Sequence, residues 1–140
     1  MLEAGLFDRR LLFWYEDLDI CWRIRLIGYK ILFAPKSVVY HLEGGSGSTR
    51  SRKINNYWSL KNRLLVLINN YETTTLVKFA LKILIRTRRV FGLRTLTKGF
   101  LHIIIDFKEV WRIRQQIQIS LRRVSDRHLQ PLIRRARLLL

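Results

Sequence analysis

Three acidic residues, Glu16, Asp17 and Asp19, fall within four positions of a stretch that is otherwise mostly apolar and aromatic. An aromatic run at residues 13–15 precedes them, and a mixed basic and apolar segment follows at residues 20–27. Burial of a carboxylate is costly unless the group is paired, hydrogen-bonded or used in chemistry. Any fold of this chain must therefore place these three side chains favourably, and we interpret the cluster as a candidate site.

The residues from the cluster onward predict a helix followed by two short strands. Apolar residues recur through residues 16–27, and Gly28 is a typical residue just beyond a helix C-terminus. β-Branched and aromatic residues then fill positions 31–34 and 37–41 on either side of Pro35, a pattern typical of short strands.

Four short motifs follow one another within residues 5–41. They are a G-x-F-D segment at 5–8, an aromatic-E-D-x-D-hydrophobic-x-W-R run at 15–23, a Gly-Tyr pair at 28–29 and a β-rich run ending at His41. In type and spacing, these motifs resemble the C-terminal half of the catalytic domain of family 2 glycosyltransferases of the GT-A type, especially the rhamnosyltransferase-like members. The resemblance is weaker at residues 57–63, and Arg9 stands where the family often has Glu.

This resemblance implies an α/β fold. Residues 1–49 are expected to form the C-terminal part of a GT-A catalytic domain, and residues 50–140 a mainly α-helical, basic amphipathic region that associates with a membrane. The Gly- and Ser-rich stretch 44–49 marks the boundary. Helices are predicted at 53–70, from the threonines at 73–75 onward, at 96–114 and at 121–140.

The resemblance also implies roles for individual residues. Asp17 would be the base that takes a proton from the acceptor hydroxyl in an inverting transfer, and Glu16 would orient the acceptor. The alternative for Asp17 is N-capping of the helix, where the helix dipole also favours its charged form. The other residues assigned to acceptor contact or structural support are Asp8, Asp19, Trp22 and Arg23. Of these, Asp19 and Arg23 are four positions apart and can pair on a helix.

His41 would help to hold the divalent metal, Mn²⁺ or Mg²⁺, that bridges the donor diphosphate, and the alternative is a structural histidine. In the family, a D-x-D motif in the N-terminal half supplies another ligand, and no such motif precedes Glu16. The residues that follow the Gly- and Ser-rich stretch are candidates for phosphate binding: Arg50, Arg52 and Lys53. A second basic group at residues 61–63 is interpreted in the same way, and a solvated basic face is the favoured alternative for both groups.

The net charge of +17 is concentrated in one part of the chain. Residues 1–43 carry 6 Lys/Arg and 6 Asp/Glu, whereas residues 44–140 carry 21 and 4. Such asymmetry indicates an anionic surface as a partner. Alternation of basic with bulky aliphatic residues favours an anionic membrane over nucleic acid. The single cysteine, Cys21, is typical of a reducing compartment. We therefore expect peripheral attachment to the cytoplasmic face of a membrane.

Two functions from different classes remain open at this stage. The first is a glycosyltransferase that moves a sugar from a nucleotide-sugar donor to a glycan or lipid-linked acceptor. Because no nucleotide-binding half is recognisable, we expect this chain to be part of a longer enzyme and to be inactive alone. The second is a non-catalytic basic module that binds a membrane or nucleic acid.

Overall fold

The secondary structure consists of helices joined by short connections. The computed structural model describes residues 3–40 and 52–135, apart from the side chains of 52–54, 130 and 132–135. The α-helices of this part are α1 (Glu16–Leu26), α2 (Arg52–Asn70), α3 (Thr73–Phe91), α4 (Leu93–Ile105), α5 (Phe107–Gln115) and α6 (Asp126–Arg135). A π-helical turn, Gln116–Leu121, continues α5.

The expectation of an α/β, GT-A-type fold is wrong for the part of the chain that the structure describes, which is mainly helical and contains no strand. Residues 31–40 have no regular structure, and all ten are exposed. The physical reason is the missing partner: β-branched residues favour a strand only where a neighbouring strand completes its hydrogen bonds. The predicted end of the second strand, His41, lies outside the described residues.

Helix α1 confirms the helix predicted at residues 16–27 and ends in a turn that requires glycine. Gly28 has φ of 95°. Its N–H donates to Arg25 O at 3.0 Å, and the N–H of Tyr29 donates to Ile24 O at 3.2 Å. These two bonds form the Schellman arrangement that closes many helices.

Helix α2 is the central element, because its residues contribute to two of the buried clusters. The larger cluster joins it to the segment before α1 and to α1, α5, the π-helical turn and α6. Its buried members are Leu11, Trp22, Leu26, Leu65, Val66, Leu67, Tyr71, Val110, Ile117 and Leu129. A smaller cluster of Leu60, Leu64 and Leu96 joins α2 to α4. Gly99 permits the approach of these two helices, since a Cβ there would lie 3.1 Å from Leu60 Cδ2.

The C-terminal end of α2 is capped by side chains from the basic half of the chain. Arg114 donates from Nη1 to Ile68 O and, at 2.9 Å, to Tyr71 O. Gln118 donates to Asn69 O at 2.7 Å, and Arg122 donates to Asn70 O. The last carbonyls of a helix have no partner within it, and cations at that end also complement the helix dipole. These two arginines therefore support the fold.

The segment after the π-helical turn connects α1 to the start of α3. The backbone N–H groups of Arg123 and Val124 both donate to Leu26 O, at 2.8 and 2.9 Å. Buried Asp126 accepts from Glu72 N at 2.8 Å and pairs with Arg122 at 3.0 Å. Residues on both sides of the predicted boundary at 49 thus share one core, and the boundary itself lies outside the described residues.

The helix predicted at 53–70 is confirmed by α2, and α3 begins at the predicted threonines. The prediction of a single helix over 96–114 is wrong, because the helix is interrupted at Asp106 (φ −93°, ψ 18°), between α4 and α5. Within the described part of the chain, no helix is both long enough and apolar enough to cross a bilayer.

Candidate functional site

The loop before the acidic cluster is held by two polar side chains of α2. Lys61 Nζ donates to Arg10 O at 2.7 Å. Asn62 Nδ2 donates to the carbonyls of Phe13 and Trp14. Both side chains are buried, so the bonds form largely out of water and fix the path of residues 10–14. Sequence separations of 48 to 51 residues explain why no local pattern predicts these contacts.

Two consecutive aromatic residues, Trp14 and Tyr15, have left-handed backbones, with φ of 62° and 71°. Such conformations are uncommon for bulky residues and cost on the order of 1–3 kcal/mol each. The hydrogen bonds from Asn62 help to hold this part of the loop. Helix α1 begins at Glu16, directly after these two residues. Its N-cap residue, Tyr15, makes no side-chain capping bond.

The first two acids of the cluster lie at the N-terminus of α1 and make few bonds. Asp17 is exposed, and its Oδ1 accepts a 2.7 Å hydrogen bond from the backbone N–H of Leu18. Glu16 is half-buried, and its Oε2 has no hydrogen-bond partner among the described residues. Neither carboxylate forms a salt bridge with a described Lys or Arg. The Asp17 carboxylate is therefore available for interaction with a ligand, whereas the Oε2 atom of Glu16 is buried.

Asp19 has the opposite environment. It is 2% exposed and pairs through Oδ2 with Arg23 Nη2 at 2.8 Å. Its Oδ1 accepts from Asn70 Nδ2 at 2.7 Å. Arg23 also donates to the carbonyls of Ala4 and Leu6. The pair therefore joins α1 to the N-terminal segment and to the end of α2.

Asp8 forms a compact ion pair with Arg10. Its oxygens accept from the backbone N–H and the guanidinium of Arg10, the shortest bond being 2.6 Å from Nη2. Burial acts to raise the pKa of the Asp8 carboxyl, but the bonds from Arg10 outweigh burial, and the pKa lies below its usual value. This pair supports the turn at residues 8–11, which precedes the acidic cluster.

The basic group at residues 61–63 is buried, so the solvated face favoured from the sequence is wrong for it. Burial lowers the pKa of the Lys61 ammonium to about 8, and the nearby Arg10 charge acts in the same direction. Burial also lowers the pKa of Arg63, whose Nε and Nη2 have no hydrogen-bond partner in the described part of the chain. Tyr15 is close enough to influence that pKa, so Arg63 places a buried cation near the residue that precedes the acidic cluster.

The other predicted site residues are separated from the acids or lie outside the described residues. Trp22 is in the core, where its ring contacts Tyr71 edge-to-face at 4.7 Å between centroids. His41 and Arg50 are not among the described residues, and the side chains of Arg52 and Lys53 at the start of α2 are not described either. No group of three or more His, Cys, Asp or Glu that could hold a metal occurs in the described ranges.

A groove between α2 and α4, not predicted from the sequence, has a volume of about 700 Å³. In its wall, Tyr57 Oη lies 3.1 Å from His102 Nδ1, and His102 Nε2 lies 3.1 Å from Asp106 Oδ2. Burial lowers the pKa of His102. The spacing of His102 and Asp106 by four residues was a visible signal, but the pairing with Tyr57, 45 residues away, was not.

Comparisons of the chain with protein-family models, with curated proteins and with solved structures give no match.

Proposed function

We propose that the chain supplies the base side of a glycosyl transfer, with Asp17 as the group that accepts the proton of an acceptor hydroxyl. The observation that carries this proposal is the division of the acidic cluster. Asp19 is paired with Arg23 and Asn70, whereas Asp17 is exposed and forms no salt bridge with a described Lys or Arg. A base must be ionised and within hydrogen-bond reach of its substrate. The N-terminus of α1 favours the charged carboxylate.

Three further features support the same assignment. The left-handed pair Trp14 and Tyr15 is the kind of local strain that accumulates at functional sites. Glu16 adds a second carboxylate next to Asp17, and its buried Oε2 has no hydrogen-bond partner among the described residues. Arg63 adds a buried positive charge near Tyr15, with Nε and Nη2 lacking hydrogen-bond partners among the described residues, and so contributes a favourable electrostatic field for negative charge.

In the proposed step, the acceptor oxygen forms a bond to the anomeric carbon of the donor sugar while its proton passes to Asp17. The bond between that carbon and the phosphate oxygen breaks, and its electron pair leaves with the nucleoside diphosphate. The anomeric carbon is thereby inverted.

The proposal covers only the acceptor side of the reaction. A nucleotide-sugar donor needs a binding surface that positions its anomeric carbon opposite the base, since positioning supplies much of the rate. No described element of this chain offers a recognisable one. We therefore assign donor binding to other residues, in this polypeptide or in a partner. We assign binding of the glycan or lipid-linked acceptor to residues 8–17, which comprise the loop before α1 and its first two residues.

The test is sugar transfer in membranes from the source cells, which contain whatever donor-binding part the reaction needs. The gene is deleted and restored as the wild type, as Asp17→Asn or as Glu109→Gln, an exposed acid on α5 that serves as the control. Incorporation of radiolabelled sugar from a panel of nucleotide-sugars is measured at equal protein level. We expect Asp17→Asn to lower the rate by about 10²-fold or more and Glu109→Gln to leave it unchanged. Full activity of Asp17→Asn would remove Asp17 as the base.

A purely binding function is the second candidate, favoured by the exposed apolar and basic residues of α3 and α4. The same deletion separates the two functions. Unchanged sugar incorporation from every donor after deletion, with the protein still recovered on membranes, would favour binding over transfer.

A further inference from the structure

One stripe of α4 is cationic in its first half and apolar in its second. Arg94, Lys98, Leu101 and Ile105 are spaced by four, three and four residues, so they lie in line along one side of the helix. At 1.5 Å per residue the stripe is about 16 Å long. Leu101 and Ile105 are 56% and 72% exposed, although both are bulky aliphatic residues.

All four residues of this stripe line the groove between α2 and α4. Tyr57 and Trp58 of α2 contribute aromatic rings to its lining, and the volume is about 700 Å³. The α2–α4 contact through Gly99 and Leu60 fixes the separation of its walls. The groove thus combines cations, aromatic rings and aliphatic side chains in one open cavity.

Within the described residues, no carboxylate pairs with Arg94 or Lys98. Asp106, the acid at the end of α4, is instead paired with His102 at 3.1 Å. The two cations are therefore available for an anionic ligand. Helix α4 itself contains no Asp or Glu, and the whole chain carries +17.

We propose that the α2–α4 groove binds the headgroup of an anionic phospholipid and seats the chain on an anionic bilayer. The lipid phosphate lies against Arg94 and Lys98, and Leu101 and Ile105 enter the region of the acyl chains. Cations followed along one helix face by exposed aliphatic residues fit the two layers of a membrane surface. Trp58 suits the boundary between them, because its ring is apolar and carries one polar N–H. This inference does not depend on the proposed transferase function.

Two other readings of the basic surface fit less well. A nucleic-acid backbone presents phosphates without aliphatic chains, so it would leave Leu101 and Ile105 exposed to water. Helix α3 also exposes cations and aliphatic residues, but Lys78 and Lys82 lie on an open helix surface. The Nζ atom of each lysine is 5.7 Å from the centroid of the Phe79 ring. Neither lysine lines the α2–α4 groove.

The test uses the full chain and flotation with vesicles of phosphatidylcholine alone or with about 30% phosphatidylglycerol, a mixture chosen for its negative surface potential. We expect binding to the anionic vesicles that weakens as salt rises from about 0.05 to 0.5 M, because screening shortens the reach of the cations. Arg94→Gln/Lys98→Gln and Leu101→Ser/Ile105→Ser should each lower the partition coefficient about tenfold or more. All four side chains are exposed, and circular dichroism checks that the variants remain folded.

Matched controls remove the same charge or the same kind of surface elsewhere. Lys30→Gln/Lys36→Gln removes two exposed cations, and Leu32→Ser/Val38→Ser removes two aliphatic residues that are 82% and 74% exposed. Both controls should bind within about twofold of the wild type, as expected for charges and side chains outside the contact.

Several outcomes would overturn the proposal. Equal binding to neutral vesicles, or equal loss in the control variants, would indicate a non-specific surface. Loss in Lys78→Gln/Lys82→Gln without loss in the α4 variants would move the contact to α3. Inorganic phosphate could abolish vesicle binding completely while Leu101→Ser/Ile105→Ser binds vesicles as the wild type does. The groove would then be a phosphate site and not a lipid site. Binding to duplex DNA without binding to vesicles would assign the surface to nucleic acid.

Discussion

Asp17 and Asp19 are two residues apart on one helix, yet they lie in opposite environments. A helix turns by about 100° per residue, so a spacing of two places side chains on different faces. The face of Asp19 is covered by Asn70 and the N-terminal segment, whereas the face of Asp17 meets solvent. The sequence could predict the spacing of Asp19 and Arg23. It could not predict Asn70, because that contact joins residues 51 positions apart.

Substitution of Asp19 is expected to destabilise the fold strongly. Asp19→Asn removes the carboxylate charge that is paired with the Arg23 guanidinium, which is 6% exposed, and such changes cost about 3–5 kcal/mol. Asp17→Asn should cost less than about 1 kcal/mol, since it removes one exposed charge at a helix N-terminus. Urea denaturation followed by circular dichroism measures both free energies of unfolding. Equal losses in the two variants would contradict the division of roles.

Cys21 offers a chemical readout of the charge on Asp17. Burial raises the pKa of its thiol, and the Asp17 charge raises it further. The thiolate is the form that reacts, so Asp17→Asn should lower the pKa and accelerate alkylation by iodoacetamide near pH 8. Glu16→Gln, which changes a neighbouring acid, is the control. Because Cys21 is the only cysteine, mass spectrometry of the intact chain follows the reaction. An unchanged alkylation rate in Asp17→Asn would place that charge too far away to act.

At the scale of elements, the sequence predicts α1 and α2 well, merges α4 with α5 and wrongly predicts strands at 31–34 and 37–41, whose described residues, 31–34 and 37–40, contain no strand. A helix completes its hydrogen bonds within its own segment, so α1 and α2 begin and end within about a residue of their predicted bounds. A strand depends on a partner that local sequence does not show. Residues 31–34 have strand-like composition and nevertheless remain irregular and exposed. The α2–α4 groove was missed because its walls come from distant segments, although the stripe on α4 is visible in the sequence.

The end of α1 gives an element-scale prediction. Gly28→Ala places a Cβ on a residue with φ of 95°, which should lower the free energy of unfolding by about 1 kcal/mol. Among the described residues the added Cβ meets only Val124 Cγ2, at 3.8 Å, so the cost is conformational rather than a steric clash with a neighbour. Lys30→Ala, in the exposed segment that follows, is the control. Unaltered stability of Gly28→Ala in urea denaturation would show that the turn does not limit the fold.

At the scale of the whole molecule, the basic half of the chain has two distinct uses for its arginines. Arg114 and Arg122 are turned inward to the end of α2, where they take up carbonyls that would otherwise be buried without partners. Arg94 and Arg112 remain at the surface. From composition alone, these four arginines are all predicted to belong to one amphipathic region. Composition gives the charge of a region but does not show which backbone carbonyls lack a hydrogen-bond donor. The N-terminal acids and the C-terminal arginines are thereby joined through α2.

This arrangement predicts that Arg114 controls the stability of the whole fold. Arg114→Met keeps much of the side-chain length but removes the donors to Ile68 O, Tyr71 O and Thr73 Oγ1, so the free energy of unfolding should fall by about 3 kcal/mol. Arg112→Met is the matched control, because its pair with Glu109 is exposed to solvent and contributes little to stability.

Unfolding of Arg114→Met should be followed with probes in both the N-terminal part, with α1, and the basic C-terminal part. The tryptophans lie before α1, in α1, in α2 and in α5, so their fluorescence samples both halves, and far-ultraviolet circular dichroism follows the helices. Since the two halves share one core, the transitions from both probes should coincide and shift together in Arg114→Met. The two probes could instead give separate transitions, with only one of them shifted by the substitution. That result would show that the N-terminal part with α1 and the basic C-terminal part unfold independently, and that the side chains bonded to the end of α2 do not couple them.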